Sequence, residues 1–169
     1  GHIALNKVSK RINDKAIYSK ITSLHKTLQN DFLIKHPKIA VLALNPHSGE
    51  NGILGYEEIE TIVPAIKRIK NENIICDGPF PADSFFCKSN LKKYDAILSM
   101  YHDQGLIPFK MCSFSSGVNF TSGLEIVRTS PVHGPAFDLT GKNMADIGSF
   151  KQSVIQACLI YKNRISLNL

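Results

Sequence analysis

Between His102 and Lys110 the chain places a histidine, a carboxylic acid (Asp103) and a lysine within nine residues. A histidine ligates metals, an aspartate orients or takes a proton, and a lysine holds a phosphate or carboxylate. The group follows Ala96-Ile97-Leu98-Ser99-Met100, an apolar run that reads as a buried strand ending in a turn. In open α/β sheets ligands bind beyond the carboxyl ends of the strands. A second histidine, His47, stands in a loop after another apolar run, residues 39–44. Neighbouring parallel strands would bring the two loops together, and two imidazoles could then converge on one ion. Two solvated loop histidines fit the same residues, so on residue types alone both readings stay open.

Two acids accompany them. Asp103 is adjacent to His102 and is a candidate for holding that ring. Asp83, in a Pro-Ala-Asp turn, reads first as the cap of a helix beginning near Ser84. It also qualifies as a catalytic group that orients a substrate amine or a histidine. His25, on the polar side of a predicted helix, and His36, in a turn before Pro37, receive no role.

The elements that must position these groups are readable from periodicity. Ile17, Ile21, Leu24, Leu28 and Phe32 recur at helical spacing, which predicts a helix over 14–34 with Asn13 or Asp14 as its cap. Residues 39–44 predict a strand buried on both faces. A Gly-rich loop over 45–55 leads to a helix over 56–70, marked by Ile59, Ile62, Val63, Ile66 and Ile69, with Pro64 early in it or kinking it. Ile74-Ile75-Cys76 and residues 96–100 are further strands, and a last helix starts near Ser149 and includes residues 153–161. Strands alternating with helices indicate an α/β unit with a mainly parallel sheet flanked by helices.

The chain has 169 residues, 43% of them hydrophobic and 20% charged, which fits a soluble globular protein with a sizeable core. No apolar run approaches the ~18–20 residues of a membrane helix, and no signal-peptide h-region opens the chain, so the expectation is a cytoplasmic protein without membrane contact. The net charge of +6 comes from lysines scattered among acids without an aromatic-basic motif. It reads as a solvated basic surface that attracts phosphorylated anions, not as a nucleic-acid site. Cys76, Cys87, Cys112 and Cys158 lack CxxC spacing and read as buried reduced thiols.

Several segments carry a family resemblance. Tyr101-His102-Asp103-Gln104-Gly105 with Lys110 resembles the YHDQG…K of the 4-hydroxythreonine-4-phosphate dehydrogenase family of pyridoxal phosphate biosynthesis. Leu44-Asn45-Pro46-His47-Ser48-Gly49-Glu50 with Glu57-Glu58-Ile59 resembles its LNPHAGE…EEI, and Gly78-Pro79-Phe80-Pro81-Ala82-Asp83 its GPLPAD. Gly117-Val118-Asn119-Phe120-Thr121 with Arg128-Thr129-Ser130 is similar to GVNIT…RTS, and His133-Gly134-Pro135-Ala136 to HGTA. Ala145-Asp146-Ile147-Gly148-Ser149-Phe150 is similar to ADVGSF. The matches run in order over almost the whole chain but cover only the C-terminal half of a family member. The resemblance thus makes residues 1–169 one α/β unit of a two-domain subunit, in the isocitrate/isopropylmalate dehydrogenase-like fold, and the chain contains no GxGxxG.

The resemblance also implies roles. His47 and His102 fall on two of the family's three divalent-metal ligands, for zinc, magnesium or cobalt. His2, in His2-Ile3-Ala4-Leu5, falls on the third, although Gly1 replaces a hydroxyl residue and Ala4 a proline. Lys110, Asn119 and Arg128 fall on substrate-binding positions. His133, Gly134 and Ala136 fall on the cofactor loop for NAD or NADP, where Pro135 replaces the usual Thr or Ser. The implied reaction is metal-assisted oxidation of a phosphorylated hydroxy amino acid, 4-phosphooxy-L-threonine, to a β-keto acid. That acid decarboxylates to 3-amino-2-oxopropyl phosphate. The implied assembly is a homodimer with its active site at the interface. The family's N-terminal His-Thr substrate contact has no counterpart here. Two alternatives follow: a related dehydrogenase of phosphorylated four-carbon sugar acids, or a catalytically incomplete metal-binding dimerisation fragment.

Overall fold

The computed structural model describes residues 2–113, 115–134 and 136–168; Gly1 and Pro135 lie outside them. Its centre is strand β1 (Lys38–Leu42), flanked by β2 (Ile75–Phe80) and β3 (Ala96–Leu98) in the order β2-β1-β3, all parallel. Ile39, Ala40, Val41 and Leu42 are each 0% exposed, because helices or aromatic side chains cover both faces. On one face Ile39 and Val41 meet Ile17, Ile21 and Leu28 of α1 (Asp14–Asn30) and Ile66 and Ile69 of α2 (Val63–Lys70). On the other, Ala40 and Leu42 meet Phe85 and Tyr94. Fully burying an aliphatic side chain of this size contributes roughly 1.5–3 kcal/mol, so this sheet-and-helix sandwich holds the site's scaffold.

The parallel α/β expectation holds, with differences in the elements. Asn13 caps α1 by accepting from the Ala16 amide at 2.9 Å. The helix stops at Asn30 rather than residue 34, since Leu33 adopts a left-handed φ of 55°, and Phe32 stands 41% exposed beyond it. The predicted 56–70 helix is a wide π turn (Glu58–Ile62) followed by α2. Pro64 lies in the first turn of α2, where its missing N–H is tolerated. Strand β2 continues past Cys76 to Phe80.

The segment after β3, read as a turn, is helix α5 (His102–Ser113). Gly105 and Pro108 disguise it: the glycine lets the helix approach the strand end, where a Cβ would stand 2.7 Å from Ser99 Oγ. Two short helices, α3 (Ala82–Phe85) and α4 (Lys88–Lys93), precede β3. Beyond α5, β4 (Val118–Phe120) and β5 (Thr129–Pro131) form a separate antiparallel pair. Helix α6 (Gly148–Ser166) packs on this pair; it starts where predicted, near Ser149, includes 153–161 and runs on to Ser166.

The four cysteines are free, but only Cys76 is buried, its thiol pushed up to about 12 by burial and by Asp77 beside it. The other three are exposed, because each lies on a helix or helix cap facing away from the sheet sandwich, which corrects the reading of four buried thiols. Among the described residues no helix is long and apolar enough to cross a membrane.

Candidate active site

The carboxyl edge of the sheet gathers the first group of candidates. His102 is the first residue of α5, four residues beyond the end of β3. The His2 ring lies against it, centroid to centroid 4.8 Å and tilted 58°. Two imidazoles bound to one tetrahedral ion at about 2.0–2.1 Å would hold their ring centres ~5 Å apart. Asp103 Oδ2 is 3.5 Å from His102 Nδ1, longer than a hydrogen bond, so the carboxylate stands beside the ring as a nearby acceptor without being bonded to it. A cavity of about 250 Å³ opens beside them between Leu5, Asn6, Leu44, Asn45 and Tyr101.

His47 stands beyond the end of the adjacent strand β1, exposed to solvent on an unusual turn. His47, Ser48, Gly49, Glu50 and Asn51 all have positive φ, from 45° to 79°. Left-handed conformation costs about 1–2 kcal/mol per non-glycine residue, so the surroundings must hold it. Ser48 Oγ donates to the Pro79 carbonyl at 3.2 Å from one side. From the other, the buried Glu58 carboxylate accepts the Leu44 and Asn45 amides, each at 2.8 Å. Among the described residues no three His, Cys, Asp or Glu side chains stand close enough to hold one ion. The fold thus pairs His2 with His102 and leaves His47 apart on the same edge.

A second group lies in a cleft of about 530 Å³. Its lining includes Lys110 from α5, His133, Gly134 and Ala136 from the loop after β5, and Asp138 and Ser149. Ser149, buried at the start of α6, donates to the Gly117 carbonyl at 2.7 Å and accepts the Val132 amide at 3.0 Å. It thereby ties α6 to both sides of the cleft. His133 Nδ1 lies 2.9 Å from the Gly134 carbonyl. One concavity therefore joins the substrate-position lysine to the cofactor-position loop.

Asn119 on β4 and Arg128 before β5 are exposed, outside that cleft's lining, and Arg128 donates to Thr121 Oγ1 at 2.8 Å. Asp83 does not cap a helix at Ser84. The helix begins two residues earlier with Pro81 as its cap, so Asp83 sits exposed inside the first turn. A further cavity, about 1020 Å³ between α1, Gly123–Glu125 and Arg164, contains none of the predicted residues. Its walls mix exposed lysines with a hydroxyl-lined helix face, and the sheet-edge chemistry lies elsewhere.

Two residues that positional reasoning passed over organise the edge. Gln104 is buried, donates to the Ala43 carbonyl at 2.7 Å and accepts the Met100 amide at 2.8 Å, so it ties α5 to the end of β1. Glu58 is the other. A signal existed: of the adjacent acids Glu57 and Glu58, one had to face inward where an apolar helix stripe begins.

The chain is 47% identical over 163 residues to a 4-hydroxythreonine-4-phosphate dehydrogenase of Bacteroides thetaiotaomicron, covering 96% of this chain and 45% of that protein. A crystal structure of 4-hydroxythreonine-4-phosphate dehydrogenase from Klebsiella pneumoniae superposes with a TM-score of 0.81 at 34% identity, over 94% of this chain and 48% of that one. A terephthalate 1,2-cis-dihydrodiol dehydrogenase from Burkholderia xenovorans LB400 superposes at 0.71 and 25% identity, over 92% of this chain and 50% of that one. The chain spans about half the length of the curated relatives it matches. Residues 1–157 match the family model described as pyridoxal phosphate biosynthetic protein PdxA, and the chain belongs to that family.

Proposed function

We propose that this chain carries the metal- and cofactor-binding half of a 4-hydroxythreonine-4-phosphate dehydrogenase site. The reaction is NAD- or NADP-dependent oxidation of 4-phosphooxy-L-threonine in pyridoxine phosphate biosynthesis. The observation that carries the reading is the His2–His102 ring pair at a sheet edge where ligands bind, with Asp103 3.5 Å from His102 Nδ1. Membership of the PdxA family supports the substrate.

The donor set fits a divalent ion as far as two neutral imidazoles at ligand spacing. His47, on the same edge, completes the set from a second copy of the chain in a homodimer whose active site lies at the interface. Held there, such an ion would supply Lewis-acid activation of the substrate alcohol, and a bound nicotinamide would supply the hydride acceptor. The chain's own residues do the rest. Asp103, 3.5 Å from His102 Nδ1, would steady that ring when its other nitrogen takes the ion. Lys110 offers a point charge to a phosphate, and Arg128 a planar fork to a phosphate or carboxylate. Asn119 adds an amide to the same anion, Asp83 offers a carboxylate to the substrate amine, and His133, Gly134 and Ala136 form the cofactor's wall.

Zinc titration by calorimetry, with sedimentation and a steady-state assay of nicotinamide reduction, tests this reading. The chain is expected to dimerise and to bind a divalent ion, and His2→Ala, His47→Ala and His102→Ala should each weaken that binding at least about ten-fold. Unchanged affinity in all three variants would sink the proposal. Turnover of phosphoerythronate but not of phosphothreonine would move the substrate to the four-carbon sugar acids. Metal binding without turnover on either would favour the incomplete-fragment reading.

A further inference from the structure

The end of β1 is where the two histidine-bearing segments are fastened. Past Leu42, the Ala43 amide donates to the Phe80 carbonyl at 2.8 Å, and the Ala43 carbonyl accepts Gln104 from the His102 helix. The next two amides, Leu44 and Asn45, both donate to Glu58 Oε1. Glu58 Oε2 accepts the Asn45 side-chain amide at 2.9 Å.

Glu58 is only 2% exposed, and all its hydrogen-bond partners among the described residues are uncharged amides. A buried carboxylate without a cation is costly unless its lone pairs are filled, so its retention calls for a reason beyond packing. The left-handed turn supplies one. Gly49 lies so close over Glu58 that a Cβ there would be 2.7 Å from Oε2 and 2.9 Å from the Gly55 carbonyl. One carboxylate therefore fixes the chain entering the turn and forms the floor beneath its middle. The π turn that begins at Glu58 marks the same place, since such wide turns concentrate at functional sites.

We propose that Glu58 is a positioning residue for His47: it locks the left-handed 47–51 turn onto the end of β1 and so sets where that imidazole stands relative to His102. Gln104 does the corresponding work for the His102 helix, and both side chains act on neighbouring backbone groups of one strand end. The inference rests on the reading of His47 as a metal ligand.

The experiment titrates the dimeric protein with Co²⁺, following affinity by calorimetry and geometry by the visible absorption of the bound ion, with thermal unfolding in parallel. Supporting-partner mutations typically cost about 10–100-fold in metal affinity, and Glu58→Ala is expected in that range with an altered Co²⁺ spectrum. Glu58→Gln keeps the Oε1 acceptor for the two amides and should restore most of the affinity. Gly49→Ala, which disturbs the same contact from the turn's side, should reproduce the Glu58→Ala spectrum. Should Glu58→Ala fail to fold, a Gly49→Ala and His47→Ala double-mutant cycle decides. The Gly49→Ala loss is expected to vanish when His47 is absent, and additive losses would overturn the proposal. Intact affinity and spectrum in the Glu58 variants, beside a loss in His47→Ala, would overturn the positioning role alone. Intact affinity in His47→Ala would overturn the ligand reading on which it rests.

Discussion

Arg164, near the end of α6, closes on Asp31, the residue that ends α1: Nε meets Oδ1 at 2.6 Å and Nη2 meets Oδ2 at 3.0 Å. The same guanidinium donates through Nη1 to the carbonyls of Leu124 and Glu125, and Asn163 donates to the Asp31 carbonyl. The pair fastens the helix of the antiparallel β4–β5 unit to the helix of the parallel sheet. The ion-paired side chains are 14% and 4% exposed, so solvent screens them little.

Removing one partner of such a buried pair strands the other charge, which costs about 3 kcal/mol or more. Arg164→Ala should therefore lower unfolding stability by that order in urea titration. Arg164→Lys should recover only part, since an ammonium lacks the fork for both oxygens. Equal stability of Arg164→Ala and the parent would show that the two units hold together without this clamp.

That clamp also marks the boundary of what the sequence makes legible. Apolar periodicity places α1, β1 and α2, because burial against a sheet leaves a stripe or an unbroken run: Ile17, Ile21 and Leu28, or residues 39–43. It misses the end of α1, which the non-local Asp31–Arg164 contact and the left-handed Leu33 determine. It misses α5 as well, since Gly105 and Pro108 weaken the local helix signal while packing on Ser99 and the Gln104 bonds to Ala43 and Met100 override it. At the site, strand-end placement correctly puts His47 and His102 on one edge, and the family pattern alone points to His2. The five-residue left-handed turn that carries His47 has no local signature beyond Gly49, because its stability comes from Glu58 and Ser48 contacts between residues distant in sequence.

His25 gives the fold an acid-sensitive element. The side chain is half-buried rather than on an open polar face, its Nδ1 has no hydrogen-bond partner among the described residues, and burial pushes its pKa below the ordinary 6.5. The unfolded chain therefore binds the extra proton first as acid is added. The stabilisation from a neutral His25 is complete above 6.5 and is lost as pH falls through the lower folded value. Thermal unfolding of the parent should fall more steeply between about pH 7 and about pH 5 than that of His25→Gln, which has no charge to gain. Parallel pH profiles would show that His25 is solvated in the native state.

Arg128 should govern substrate affinity rather than cofactor affinity. It precedes β5, and its single described side-chain hydrogen bond, to Thr121 Oγ1 across the hairpin, uses one of five guanidinium N–H donors. The remaining donors are exposed and suited to a bidentate contact with a phosphate or carboxylate. A hydrogen bond to a charged group is worth roughly 1.5–3 kcal/mol, so Arg128→Ala in the catalytically complete protein should cut kcat/KM for the phosphorylated substrate ten-fold or more. The KM for the nicotinamide should move little, because the cleft walled by His133, Gly134 and Ala136 does not include Arg128. Thr121→Val, which removes the bond aiming the guanidinium but leaves its charge, should fall between the parent and Arg128→Ala. A rise in cofactor KM with substrate KM unchanged would reassign Arg128 to the cofactor side.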